Sequence, residues 1–285
     1  MSPKGLPRRV PNNVGRQAPL TAPLRIPYYQ VNAFAPGVFG GNPAGVCFLD
    51  QWLSDNALLR IAAENNHSET AFLVRDNDYF HLRWFTPVVE VSLCGHATLA
   101  SAFVLFSELH HPRANIRFHT QSGWLEATRR GDLVEIDLPA RPPAPCEVPE
   151  ALAGGLGRQP AEVLKSRDYL AVFETQREVE ALDPDFEELT KLDCLGIIAT
   201  APGANCDFVS RFFAPGAGVP EDPVTGSAHC TLIPFWAGRL KKTQLFARQV
   251  SRRSGELWCR HLGNRVGIGG RAIVYNRGEI EIPNH

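Results

Sequence analysis

Four side chains in this sequence could move a proton or hold an anion: Glu69, His96, Asp222 and Ser227. Glu69 lies between Ser68 and the apolar run from Thr70 to Val74. A dry wall there would raise its pKa toward the range in which a carboxyl can take and return a proton near neutrality. A plainer role is open to the same residue, as a cap on the N–H groups of Thr70 or Ala71. His96 follows Gly95 at the first turn of an apolar helix, where the positive end of the helix dipole disfavours the imidazolium. A neutral ring could polarise a substrate, or it could be a core histidine satisfied by backbone. Asp222 precedes Pro223 and is therefore biased to an extended conformation just before a second glycine-led helix. It could orient a substrate or His96, or simply complement the helix N-terminus. Ser227 follows Gly226. Its hydroxyl, with the N–H groups of Gly95 and Gly226, could hold a substrate carboxylate, or it could cap its own helix.

Cys94 brings in a different chemistry, because a thiolate near a helix N-terminus has a lowered pKa and two opposed thiols can invert a carbon centre. The position matching Cys94 is Thr225, and Cys230 lies a turn further along its helix. That spacing favours a single base over a pair.

The elements that position these groups are repeated. Arg83-Trp84-Phe85-Thr86-Pro87 leads to Cys94-Gly95-His96-Ala97, and Arg211-Phe212-Phe213-Ala214-Pro215 leads to Thr225-Gly226-Ser227-Ala228. Helical spacing of Leu58, Ile61, Ala62 and Asn65, with Ser54 or Asp55 as the cap and Asn65-Asn66 as the stop, predicts a helix from Asp55 to Asn66. Strands are expected over Thr70 to Val74 and Tyr79 to Phe85, then over Ile197 to Ala201 and Phe208 to Phe213, with a short acidic helix opening at Asp183-Pro184. Almost no charge occurs from Gly95 to Phe106 or from Gly226 to Trp236, which marks helices buried on all sides. The second copy carries a three-residue insertion around Val219 to Pro223. Aligned on the glycines, Cys94 meets Thr225, His96 meets Ser227 and Val91 meets Asp222; aligned on the strands, Glu69 meets Leu195. The fold repeats while its polar groups do not.

The expected fold class is therefore α/β (α+β), with two pseudo-symmetric lobes, each a curved mixed sheet around one central helix. We divide the chain at the proline cluster from Pro139 to Pro149: an N-terminal lobe over 26–140 and a C-terminal lobe over 141–285, whose last strand can return to the first lobe. Residues 1–25 hold five Lys and Arg side chains, no acid and a high density of proline, and read as a disordered or extended tail.

Bulk properties exclude several functions. The 285 residues carry 29 basic and 30 acidic side chains, so no overall field favours nucleic acid or an anionic membrane. No apolar run approaches the roughly 20 residues of a membrane span. Seven scattered cysteines without CxxC spacing suit a reducing, cytoplasmic setting and give no zinc framework. GxSxG, Walker, HExxH and strand-linked GxGxxG motifs are all missing from the sequence, so we expect neither a metal nor a cofactor.

Longer motifs carry a family resemblance: Tyr29-Gln30-Val31-Asn32-Ala33-Phe34, Gly41-Asn42-Pro43-Ala44, His67-Ser68-Glu69-Thr70-Ala71-Phe72, Leu93-Cys94-Gly95-His96-Ala97-Thr98 and Glu221-Asp222-Pro223-Val224-Thr225-Gly226-Ser227-Ala228-His229. From about Arg25 to about Ile282 the chain resembles the phenazine-biosynthesis PhzF-like family, whose fold is similar to that of diaminopimelate epimerase. The resemblance implies a homodimer with its site between the lobes and a cofactor-free isomerisation in which one glutamate shuttles a proton between carbons of a small carboxylate substrate. Glu69 matches that glutamate, and His96, Asp222 and Ser227 match its partners. Asn42, Gly95 and Gly226 are the matching substrate-binding positions. His67 and Cys94 depart from the phenazine enzymes, so the resemblance supports the reaction type more firmly than an anthranilate substrate.

Overall fold

The first half of the chain runs β1 (Leu24–Ala33), β2 (Asn42–Leu49), α1 (Asp55–Asn65), β3 (Glu69–Asp76), β4 (Tyr79–Phe85), β5 (Glu90–Val91), α2 (Gly95–Ser107), β6 (Asn115–Thr120), β7 (Gly123–Arg130) and β8 (Leu133–Pro139). The structure, a computed structural model, describes residues 23–282. After β9 (Ala144–Pro145) and α3 (Glu150–Leu156), the second half follows with β10 (Glu162–Lys165), β11 (Tyr169–Val172), α4 (Gln176–Glu180), α5 (Phe186–Leu189), β12 (Ile197–Pro202), β13 (Phe208–Ala214), β14 (Val219–Asp222), α6 (Gly226–Leu240), β15 (Gln244–Gln249), β16 (Gly255–His261), β17 (Arg265–Gly270) and β18 (Ala272–Ile282).

Pairing repeats with the order. β1 is antiparallel to β2, β2 parallel to β3, β3 antiparallel to β4, and β4 parallel to β6, which continues antiparallel through β7 to β8. β10 to β17 take the same steps. The halves join where β8 runs antiparallel to β17, and each lends its trailing strand to the other: β9 pairs with β10, and β18 with β1. The tail expected over 1–25 ends earlier than its composition suggests. Residues 1–22 lie outside the described residues, but Leu24 and Arg25 already belong to β1, opposite Ile282 and Glu281, because β18 extends far enough to give them a partner edge. The exposed Arg25 guanidinium lies 3.3 Å from Glu281.

Parallel neighbours need a crossover, and in both halves the crossover after the fourth strand is the glycine-led helix. α2 buries every residue from Gly95 to Ala102, as its uncharged sequence allows. α6 tolerates Pro234 in its interior, where proline removes an N–H and orphans the carbonyl four residues back. That carbonyl, on Cys230, is satisfied by the Arg141 N–H at 2.8 Å. α1 begins where the Ser54 hydroxyl accepts from the Ala57 N–H and stops at Asn66 in the left-handed region, and it buries Leu58, Ile61 and Ala62.

One pair of ion pairs aims the chain into both helices. Arg83 grips Glu90 through two bonds of 2.7 Å, and Arg211 grips Glu221 through bonds of 2.7 and 2.9 Å. Both glutamates stand five residues before a helix glycine and pin the short strands β5 and β14 against β4 and β13. The three extra residues of the second copy are taken up slightly earlier than expected, in a 3-10 turn over Pro215–Ala217 closed by Gly218 at φ 79. No described helix is long and apolar enough to cross a membrane.

Candidate active site

The two helix entries meet glycine to glycine. A Cβ on Gly95 would stand 3.2 Å from the Gly226 Cα, and one on Gly226 would stand 3.3 Å from the Gly95 Cα. No larger residue fits either position without moving a helix. The contact brings His96, Thr225 and Asp222 to the strand ends that carry Asn42 and Glu69.

Asn42, at the start of β2, is the hub. Its amide nitrogen donates to Asp222 Oδ1 at 2.8 Å and to the Val224 carbonyl at 2.9 Å, and lies 3.3 Å from His96 Nδ1; its Oδ1 accepts from the Ser68 hydroxyl at 3.2 Å. The sequence placed Asn42 among substrate-binding residues. Its fully buried amide also ties β2 to the loop before α6 and so holds the two halves in register.

Glu69 opens β3 with its Oε2 shielded, while the side chain keeps 19% of its surface open. Burial, reinforced by the charge of Asp222 and partly offset by a hydrogen bond from Cys94, pushes its pKa up to about 8. Burial likewise raises Asp222 to about 6, held there against hydrogen bonds from Thr225 and Asn42. His96 is driven the other way, down to about 3, by burial and then by His67, so its ring is neutral at physiological pH. Its Nε2 lies 3.2 Å from Glu69 Oε2, yet the two are not aligned as a hydrogen bond and neither atom has another partner. With the carboxyl protonated and the ring neutral, this contact is a close neutral pair and not a salt bridge. The Asn42 amide nitrogen, which cannot accept a hydrogen bond, faces Nδ1, and this favours the ring proton on Nε2 toward Glu69; Cys94 Sγ lies 3.5 Å from Nδ1.

The thiol of Cys94 is pushed well above its ordinary value by burial and by the neighbouring Glu69, so the helix N-terminus does not make it a thiolate. Cys94, His96 and Glu69 bring one ligand-type atom each within 4.8 Å, the one such cluster found among the described residues. No motif predicts it, since neither CxxC spacing nor HExxH is present; a cation there would first have to displace the Cys94 proton. A groove of about 950 Å³ lined by Phe48, Leu73, Leu105 and Arg113 holds none of these residues. Its size says nothing about the chemistry.

Glu69, His96, Asp222 and Asn42 thus form one network, while Ser227 bonds to none of them. Its hydroxyl accepts from Arg167 Nη2 at 3.2 Å. Sequence reasoning missed Arg167, which stands sixty residues from Ser227 in a turn with no motif. It also missed Gln249, whose amide accepts from the Thr225 N–H at 2.8 Å and donates to the Asp222 carbonyl at 2.8 Å. One alignment needs correction. Thr70 pairs with Phe85 and Ile197 with the equivalent Phe213, so Glu69 corresponds to Gly196 and not to Leu195. A Cβ on Gly196 would meet the Phe212 ring at 2.3 Å, so the second half has no room for a side chain at that position.

Two duplicated α/β halves that meet at helix N-termini and hold a carboxyl at the seam define an epimerase-like fold. A Pseudomonas aeruginosa structure described as a predicted epimerase shares it with a TM-score of 0.68 at 20% identity, covering 90% of this chain and 99% of the other. Within that fold the chain belongs to the phenazine biosynthesis-like protein family, PhzC-PhzF, whose profile matches residues 31–278. A Pseudomonas aeruginosa protein named as an uncharacterized isomerase is 52% identical over 260 residues, which is 91% of this chain and 100% of the relative. The human phenazine biosynthesis-like domain-containing protein is 38% identical, covering 90% of this chain and 99% of its own length. A crystal structure of a PhzF family protein from Enterococcus faecalis superposes with a TM-score of 0.88 at 44% identity, covering 90% of this chain and 99% of that one.

Proposed function

We propose that this chain is a cofactor-independent isomerase that moves a proton between carbons of a small carboxylate substrate, with Glu69 as its single acid and base. The observation that carries this reading is a shielded carboxyl with its pKa pushed up to about 8, beside a neutral imidazole, whose counterpart in the other half is a glycine packed under a phenyl ring. The ionised Glu69 takes a proton from a carbon next to the carboxylate or a conjugated group and becomes the neutral acid that its surroundings favour. It then returns that proton to a different carbon of the same molecule, and no proton is gained or lost overall. Nε2–H of His96 is placed to donate to charge developing on the substrate, and the Gly95 and Gly226 N–H groups at two helix N-termini supply further donors. The name of the isomerase relative in Pseudomonas aeruginosa supports the same class of reaction. The family resemblance adds a homodimer to this reading.

Thiol-based epimerisation has less support, because the Cys94 thiol is held protonated and Thr225 stands where a second thiol would be needed. A non-catalytic binding protein would keep the cleft without turnover. The deciding experiment follows deuterium incorporation from heavy water into a panel of small cyclic and amino-acid-like carboxylates. With a responsive substrate, Glu69→Gln is expected to lower exchange by roughly 10²- to 10⁴-fold, whereas Cys94→Ser leaves it within about threefold of the wild type. Exchange retained by Glu69→Gln would remove the central residue, loss in Cys94→Ser would favour the thiol reading, and binding without exchange would favour a scaffold.

A further inference from the structure

The duplication places Arg167 where the first half has the turn around Asn42. β2 pairs with β3 so that Gly45 faces Thr70, and β11 pairs with β12 so that Tyr169 faces Ile197, the counterpart of Thr70. Counting back along β2 and β11, Arg167 corresponds to Pro43, the residue after Asn42. In each half the residue after the helix glycine is therefore held from this one turn: His96 lies 3.3 Å from Asn42, and Ser227 accepts from Arg167 at 3.2 Å.

The guanidinium is fixed by a built support. Asp168 is fully buried and takes three bonds from Arg167, two from Nε at 3.2 Å and one from Nη2 at 2.8 Å. Arg167 itself keeps 31% of its side chain open. Arg141 enters the same region: its N–H bonds the Cys230 carbonyl one turn beyond Ser227, and its Nη1 is buried without a partner. Both guanidiniums lie near Cys230, with Asp168 as their neighbouring carboxylate.

Building on the isomerase reading, we propose that Arg167 and Ser227 form the subsite that binds the substrate's carboxylate and fixes which end of the molecule faces Glu69. A planar guanidinium held rigid by Asp168, with a hydroxyl beside it, suits a planar oxyanion and discriminates against an uncharged amide of the same shape. The carboxylate then lies in the second half, and the carbon next to it is presented to Glu69 in the first.

Calorimetric titration of the full-length protein with benzoate and with benzamide, which match in shape and differ in charge, tests this without needing turnover. Wild-type protein is expected to bind benzoate at least about tenfold more tightly than benzamide. Arg167→Gln should lose that preference and Arg167→Lys recover part of it, while Glu69→Gln keeps it. Because Arg167→Gln leaves Asp168 buried and unpaired, the double variant R167Q/D168N serves as the folded control and should behave in the same way. Benzoate binding unchanged in these Arg167 variants, or a wild type that binds neither probe or does not distinguish them, would overturn the proposal. Loss of benzoate preference in Glu69→Gln would overturn it as well, by placing the anion elsewhere. Failed deuterium exchange with intact benzoate preference would count against the isomerase reading alone.

Discussion

The residue after the helix glycine faces a carboxyl in the first half of the molecule and a guanidinium in the second. His96 lies 3.2 Å from Glu69, and Ser227 takes a bond from Arg167. Strand order, parallel and antiparallel steps, crossover helix and the arginine–glutamate clamp before it are the same in both. The repeated framework supplies position, and the unrepeated side chains divide the chemistry between a proton-moving side and a charge-holding side. Asp222 crosses this division. It belongs to the second half but bonds Asn42 of the first, and its charge contributes to raising Glu69.

The largest effect that would break the comparison lies at the point both halves share. Gly95→Ala and Gly226→Ala each drive a methyl against the opposite Cα, so each is expected to cost roughly 1–3 kcal/mol of stability, by similar amounts. Urea unfolding measures this. A cost confined to one variant would mean that the helices do not meet symmetrically. Because the contact also sets the spacing between His96 and Ser227, activity should fall in both variants even where folding is retained.

A second effect separates the halves by pH. Glu69 has a folded pKa of about 8 against an ordinary value of 4.5, so its protonated form suits the fold and its ionised form does not. Its contribution to stability is fully present below pH 4.5 and is lost as pH rises through 8. Glu69→Gln has no such loss, so its melting temperature should gain on that of the wild type between those values and hold a constant lead above them. Gly196, the counterpart of Glu69, introduces no comparable dependence. Parallel pH profiles for the two proteins would show that Glu69 is not shielded in solution.

The duplication was legible because it lies in local pattern. The Arg-x-Phe-x-Pro strand ends, the glycine steps and the uncharged helix runs all recur, and α1, with its Ser54 cap and Asn66 stop, follows from spacing and capping alone. Glu69, His96 and Asp222 stood out because a titratable group beside an apolar run is a local signal too. What escaped depends on contacts between distant segments. Strand register set Glu69 against Gly196 where the strand alignment drawn from the sequence chose Leu195, since one residue of slip changes little in composition and reverses the face of every side chain. Arg167 was unremarked because its meaning comes from Asp168 being buried and from Ser227 arriving sixty residues later. Residues 24 and 25 were given to the tail because their partner strand is the last in the chain.

The finest comparison is between the two clamps. Arg83 and Glu90 each keep 20% of their side chains open, and Arg211 and Glu221 keep 11% and 21%, so the two bidentate pairs sit in similar surroundings. Double-mutant cycles to alanine are expected to give similar coupling in each half, about 1 kcal/mol, above the usual surface value because the pairs are partly shielded and bidentate. The single variants should differ. Arg211 also donates to the Val179 and Leu182 carbonyls at 3.2 and 2.7 Å, so Arg211→Ala orphans two backbone acceptors. Arg83 instead reaches the exposed Asp55 and lies over the Trp52 and Phe85 rings, contacts that cost less to lose. Arg211→Ala should therefore destabilise more than Arg83→Ala while the two couplings agree. Unequal couplings with equal single costs would mean that the shared framework, and not only the chemistry mounted on it, has diverged between the halves.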